Sequence, residues 1–175
     1  MVSKQGIAQL YEECQLIGSR EVRRLAEAIL RCAPGDLWEQ PSSRSGQHHP
    51  PDEVHRGGAV LHAKRCVCVA MHLSRAFDIE PIDRDVLIAA MLVHDIGVNT
   101  CADDREADYL QHPLRVREMT DALSGRPHYD AVMSVVEAHM GRWGPAEHWQ
   151  HPSPLQKLGH LADFIASRRD ILVRV

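Results

Sequence analysis

The chain has 175 residues, of which 44% are hydrophobic and 5% aromatic, and its formal net charge is −4 at pH 7. A chain of this length can bury a core as one domain without covalent cross-links. The negative balance makes a long nucleic acid a less favoured partner than a small phosphate ester. No run approaches the roughly 20 apolar residues of a membrane span, and the N-terminus lacks the apolar region of a secretory signal.

The cysteine content predicts the redox compartment of the protein, and the histidine content points to a functional site. The cysteines are five in number, which is odd, and none forms a C-x-x-C pair. They therefore predict reduced thiols in a cytoplasmic protein. The twelve histidines are more than a domain of this size usually carries, and some of them require a functional explanation.

Apolar residues recur at helical spacing along most of the chain and predict an all-α bundle of about seven helices. The segment between 36 and 56 interrupts the pattern with proline, serine and glycine, and such a long irregular segment is usually functional or disordered. We expect Trp38 to anchor it, and His48 and His49 to be solvated at its tip. Residues 98–109 are acidic and predict a solvated connection. The predicted helices span roughly residues 4–17, 20–32, 58–77, 86–93, 112–123, 128–140 and 154–167.

The central helix ends in a chemically demanding pair. Residues 86–93 carry no polar side chain, so this helix is expected to be buried on all sides. His94 and Asp95 follow directly, before Gly97 offers a helix stop. A carboxylate in such surroundings costs several kcal/mol or more unless it is paired or bound to a cation. The simplest partner for both side chains is a metal ion.

Two further potential ligands lie on other helices. His62 lies on or beside the apolar face of its predicted helix, and Asp163 lies between Leu161 and Ile165. Two imidazoles and two carboxylates, His94 and Asp95 included, suit a divalent ion such as Mn, Fe, Zn, Ni or Mg. An octahedral ion with four protein ligands keeps two positions for water and substrate, which is a catalytic arrangement.

These residues resemble the HD-domain superfamily of metal-dependent phosphohydrolases, whose pattern is H…HD…D on an all-α core. The resemblance implies a single HD domain over residues 1–175, with a core at about 55–169 and the helices of residues 4–32 packed on it. This sequence departs from many two-metal members of the superfamily at two positions. They have lysine where it has Val98, and a second histidine where it has Met140. The motifs are His55-Arg56-Gly57-Gly58-Ala59-Val60-Leu61-His62, His94-Asp95-Ile96-Gly97, His112-Pro113, Glu137-Ala138-His139-Met140-Gly141-Arg142-Trp143-Gly144 and Leu161-Ala162-Asp163.

The resemblance also implies roles for single residues. One divalent ion would be held by His62, His94, Asp95 and Asp163, and a second by His112 and His139 with Asp95 as the bridge. Asp95 would also orient the attacking water. His55 is a candidate proton donor or phosphate contact. Arg142 and Arg56 are candidate phosphate clamps because guanidinium matches phosphate geometry.

The expected function is hydrolysis of a phosphate ester, of a nucleotide or a related small molecule, by metal-activated water. Two alternatives stay open at this point. One is an HD-fold di-iron oxygenase, and the other is a regulatory or binding module that keeps the metal without turnover. The oligomeric state, including a homo-oligomer, also stays open.

Overall fold

The computed structural model describes residues 4–43, 46–98 and 109–175. Within these ranges the chain forms seven α-helices and no strand, which confirms the predicted all-α class. The predicted acidic connection lies, from residue 99 to 108, outside the described residues. The helices are α1 Lys4–Glu13, α2 Arg20–Leu30, α3 Gly58–Ala76, α4 Pro81–Val93, α5 His112–Thr120, α6 Tyr129–Ala138 and α7 Pro154–Ala166.

Helix α4 is the centre of the bundle. Every residue from 86 to 93 is at most 2% exposed, because α4 packs against α2, α3, α6 and α7. The prediction of a helix buried on all sides is confirmed. Pro81 occupies the first turn of α4, where the missing N–H group costs no hydrogen bond. The C-terminal end of α4 therefore delivers the residues that follow it into the interior of the bundle.

The two N-terminal helices pack on this centre, α1 against α3 and α2 against α4. Val22, Leu25 and Ile29 form the buried face of α2. The Ser19 side chain accepts a hydrogen bond from the Val22 N–H and caps α2. The backbone N–H of Ser19 also donates to the Asp85 carboxylate of α4 over 2.6 Å. The start of α2 is thus fixed to the start of the central helix.

Several helix ends differ from the sequence-based boundaries, most of all the start of the central helix, which lies at Pro81 and not at residue 86. The predicted first helix continues as a 3-10 turn over Cys14–Leu16, and the predicted fifth helix continues over Asp121–Leu123. A tighter last turn of this kind is common because it satisfies carbonyl groups that the α-helix leaves unpaired. No helix in the described part of the chain is long and apolar enough to cross a bilayer.

The irregular segment before α3 is ordered by its own contacts. Trp38 is buried, as expected, and the backbone N–H of Ser42 donates to the Glu53 carbonyl over 3.0 Å. A Cβ atom at Gly58 would lie 1.7 Å from that same carbonyl oxygen, so only glycine allows the loop to pass so close to the start of α3. Gly57 adopts a left-handed conformation, with a φ of 85°. Gly57 and Gly58 thus allow the loop before α3 to pack closely against the start of α3, the helix that carries His62.

Candidate metal centre

All six predicted ligands converge at one end of the central helix. Each lies on a helix or within two residues of the end of one, so the ligands are held by rigid elements. Five of them line a cavity of about 390 Å³, and the sixth, His94, is buried beneath it. The ligands are His62 on α3, His94 and Asp95 after α4, His112 at the start of α5, His139 after α6, and Asp163 on α7.

The first group comprises His62, His94, Asp95 and Asp163. The Nε2 atom of His62 lies 3.1 Å from Asp163 Oδ1, and the Nε2 atom of His94 lies 3.2 Å from Asp95 Oδ2. The crossed pairs, His62 with Asp95 and His94 with Asp163, are each 3.8 Å apart. Ligand atoms about 2.1 Å from one ion lie roughly 3 to 4 Å from each other. The four side chains are therefore spaced as ligands of one ion.

His94 provides the observation that tests whether a cation fits. Its Nδ1 atom lies 2.9 Å from the Met91 carbonyl and donates a hydrogen bond to it. The buried Nε2 atom therefore carries a lone pair, and it has no hydrogen-bond partner among the described residues. Its nearest neighbours are carboxylate oxygens, which are acceptors as well. A cation satisfies all of these atoms at once, so the residues fit a divalent metal ion.

The second group comprises His112, His139 and the other oxygen of Asp95. Asp95 Oδ1 lies 3.1 Å from His112 Nε2 and 3.6 Å from His139 Nε2, and the two Nε2 atoms are 3.2 Å apart. Both rings donate from Nδ1 to main-chain carbonyls, those of Tyr109 and Val136. Two lone pairs thus face each other beside a carboxylate oxygen. Asp95 presents Oδ2 to the first group and Oδ1 to the second, which is the arrangement expected of a bridging ligand.

The sequence of residues 60–170, well over half of the chain, matches the family model of the HD domain. The chain belongs to the HD-domain family. No curated protein and no solved structure gave a significant match. HD domains bind divalent metals, and the family includes many metal-dependent phosphohydrolases. The family match therefore agrees with the metal-ligand geometry.

One buried carboxylate of this HD domain was not predicted from the sequence. Glu53 is fully buried, and its Oε2 atom lies 3.3 Å from His62 Nδ1. Arg65 donates to Glu53 Oε1 over 2.7 Å and to both oxygens of Asp52. A carboxylate that binds the far nitrogen of a metal-ligating histidine fixes the ring and raises its basicity. Glu53 therefore orients His62 toward the metal site.

His49 contradicts its predicted solvation. Its Nδ1 atom lies 2.8 Å from Glu53 Oε2 and 3.0 Å from the Ser42 hydroxyl, and its ring packs edge-on against His62 at 4.9 Å. His48 is exposed, as expected, although it also lines the cavity. His49 and Glu53 are four residues apart, and this i,i+4 spacing is the sequence signal that could have indicated their pairing in a segment without periodicity.

Electrostatics favour charged carboxylates at the bottom of the cavity. Burial opposes the ionisation of Asp95, but in the metal-free protein His94 and His112, when protonated, hold its pKa well below its usual range. Burial also opposes ionisation of Glu53, and hydrogen bonds from His49, His62 and Arg65 nevertheless lower its pKa to about 2. Burial, with positive neighbours, lowers the pKa of His139 to about 3, so this ring is neutral and available as a ligand.

Two of the three predicted catalytic residues lie apart from the ligands. His55 is exposed and lies outside the set of described side chains that line the cavity. A catalytic role for His55 therefore lacks the proximity it needs. Arg142 is exposed, and its guanidinium lies 4.7 Å from the Trp143 ring centroid, at the cavity rim. Arg56 pairs with Glu39 over 2.8 Å instead of facing the ligands.

The two departures from the family motifs have structural counterparts. Val98, at the position where many two-metal members have lysine, packs against the hydrophobic core. Met140, where many have a second histidine, lines the cavity beside His139. Neither position contributes a charged or nitrogen ligand here. The His112–His139 group consequently depends on two imidazoles and on the shared Asp95.

Proposed function

We propose that this HD-domain protein is a metal-dependent phosphohydrolase that hydrolyses a phosphate ester of a nucleotide or a related small molecule. The observation that carries the proposal is the division of Asp95 between two ligand groups at the bottom of one open cavity. A carboxylate shared in this way is typical of two-metal hydrolytic sites. The cavity volume of about 390 Å³ suits a small molecule.

The chain's own residues explain how such a reaction is organised. A divalent ion, when bound, supplies Lewis-acid activation of water and neutralises charge on the phosphoryl group. Asp95 holds its two oxygens toward the two ligand groups and fixes the spacing between them. Hydrolysis forms a P–O bond to the water oxygen and breaks the ester P–O bond. The leaving oxygen takes a proton and departs as an alcohol.

The test is phosphate release from a panel of phosphate esters by protein loaded separately with Mn, Mg, Ni, Co and Zn. We expect release of inorganic phosphate with at least one metal, and none from the Asp95→Ala variant. If the protein binds stoichiometric metal but releases phosphate from no ester, the proposal is wrong. A regulatory module that keeps the metal would then be the better interpretation.

A second candidate function is a di-iron oxygenase. The observation that favours it is the nitrogen-rich second group, in which the Nε2 atoms of His112 and His139 lie 3.2 Å apart. Imidazole ligands suit iron as well as zinc or nickel. Anaerobic loading with Fe(II), followed by optical spectroscopy during exposure to oxygen, distinguishes the two functions. Oxygen-dependent spectral change without phosphate release would favour the oxygenase.

A further inference from the structure

Residues 171–175, called the C-terminal segment below, follow α7 and lie along α3 without forming a helix or a strand. Val173 packs against the hydrophobic core. Its carbonyl accepts a hydrogen bond from Arg65 Nε over 2.9 Å, and the Cys68 thiol lies 3.9 Å from the Arg174 carbonyl. The segment is therefore attached to α3 mainly through its own main chain.

Arg65 connects the C-terminal segment to the loop before α3. Its side chain is only 4% exposed. The Nε atom binds the Val173 carbonyl, and the two terminal nitrogens bind Asp52 and Glu53 over 2.7 and 2.8 Å. The N–H donors of a guanidinium lie in one rigid plane, so an acceptor on one edge restricts the direction of the others. The Val173 carbonyl thus helps to set the orientation in which Arg65 meets Glu53.

Glu53 transmits this orientation to a metal ligand. Arg65 donates to Oε1 of Glu53, and His62 Nδ1 lies 3.3 Å from Oε2 of the same carboxylate. The two oxygens of a planar carboxylate rotate together, so a movement of Arg65 also moves the acceptor that holds the His62 ring. Contacts of this kind can carry energetic coupling between distant positions. Here they lead from a main-chain carbonyl at residue 173 to an imidazole ligand at residue 62.

The C-terminal segment buries little of its own apolar surface. Ile171, Leu172 and Val175 are 40%, 66% and 56% exposed. A segment with few buried apolar contacts opens at a lower free energy than the core does. It can therefore detach while the bundle stays folded, and the metal centre would then lose one of the contacts that orient its ligands.

We propose that the C-terminal segment is a positioning element of the metal centre, which holds His62 in its ligand orientation through Arg65 and Glu53. The inference concerns metal binding and does not depend on the reaction that the centre catalyses. Removal of the segment is expected to weaken metal binding by about 2- to 30-fold, the range found for residues along a coupled network.

The first experiment compares the full chain with a variant that ends at Asp170. Metal affinity is measured by competition with a chelator, and circular dichroism checks that each protein is folded. Leu172→Ser is the matched control, because it changes an exposed side chain of the segment and leaves the Val173 carbonyl in place. We expect weaker metal binding in the shortened chain alone. If the shortened chain does not fold, Val173→Gly removes the side chain that packs on the core and keeps the main chain.

The second experiment tests whether the effect passes through Glu53. The same truncation is made in the Glu53→Gln variant, and the four affinities form a double-mutant cycle. We expect the truncation to have little further effect when the carboxylate is absent. Additive losses would overturn the inference, since the segment would then act independently of Glu53. Unchanged affinity after truncation of the full chain would overturn it as well.

The third experiment distinguishes positioning from general support of the fold and needs no metal. Nuclear magnetic resonance of metal-free protein with isotope-labelled histidine follows the Nδ1–H protons of the buried rings. Truncation should shift the signal of His62, whose Nδ1 atom faces Glu53. The signals of the rings that donate to main-chain carbonyls should stay in place, and these rings are His94, His112 and His139. Equal shifts in all of these rings, or an unshifted His62, would overturn the inference even if metal affinity fell.

Discussion

The imidazoles of the metal centre are oriented by two different kinds of acceptor. His94, His112 and His139 each donate from Nδ1 to the main-chain carbonyl three residues earlier. His62 instead has its Nδ1 atom 3.3 Å from the buried carboxylate of Glu53, which comes from the loop before α3. The first arrangement is local in sequence, and the second depends on a side chain nine positions away that is itself held by Arg65.

This difference has consequences for energy and for robustness. A carbonyl near the end of a helix often lacks an intrahelical partner, so a histidine placed there can donate to it at little cost. Glu53 and Arg65 are both buried, and the free-energy cost of removing their charges from water is offset only while their ion pair and hydrogen bonds are intact. We therefore expect the centre to tolerate changes around His94 better than changes around His62.

Replacement of Asp95 should have the largest effect, because it is the one ligand that both groups share. The Asp95→Ala variant is expected to lose all bound metal and all hydrolysis. It should also lose the stabilisation that the ion provides, which is about 3 kcal/mol when free metal is a hundred times Kd. Elemental analysis and thermal unfolding with and without chelator measure both effects. Asp83→Asn, an exposed carboxylate in the first turn of the same helix, is the matched control.

The second largest effect is expected from replacement of the two histidines that belong to the second ligand group alone. His112→Ala and His139→Ala should each lower the metal content from two ions to one, because they remove nitrogen ligands from the second group alone. Metal stoichiometry by elemental analysis measures this, and a crystal grown in excess Mn shows the positions by anomalous scattering. A single anomalous peak in the wild type, with both rings turned away from it, would contradict the two-metal arrangement.

A smaller effect is expected from the residue that orients His62. Glu53→Gln keeps the shape of the side chain but removes the charge, so metal affinity should fall by about 10- to 100-fold. The variant should also lose about 3 kcal/mol of stability, because Arg65 loses a buried partner. Metal titration and urea unfolding measure the two quantities.

The control for this variant is Asp52→Asn. Asp52 binds the same guanidinium as Glu53, but its side chain is 56% exposed. If Asp52→Asn weakened metal binding as much as Glu53→Gln, the effect would come from Arg65 and the loop. The assignment of Glu53 as the group that orients His62 would then be wrong.

The comparison also explains what could be predicted from the sequence. The apolar run of residues 86–93 predicts the central helix, since only burial on all sides suits it, and the family motifs point to the six candidate ligands. Glu53 and His49 lie in a segment with no periodicity. The burial of Glu53 depends on the close approach of Gly58 to the Glu53 carbonyl, and no local sequence pattern predicts that contact. Helix ends differ from the prediction where a last turn has 3-10 geometry, and at the start of the central helix, whose first five residues lie outside the apolar run.

The smallest effect is expected where the orienting group is main chain. Met91 is fully buried and supplies the carbonyl that accepts from His94 Nδ1. Met91→Leu changes the side chain but leaves that carbonyl in place, so metal content should be unchanged. The cost in stability should stay below about 1.5 kcal/mol, the usual range for a swap of similar volume in a core. Measurement of the metal content of Met91→Leu and Glu53→Gln in the same experiment compares the two kinds of orienting group directly. Loss of metal from a folded Met91→Leu protein would show that the orientation of His94 depends on side-chain packing, and the distinction between the two sides of the centre would fail.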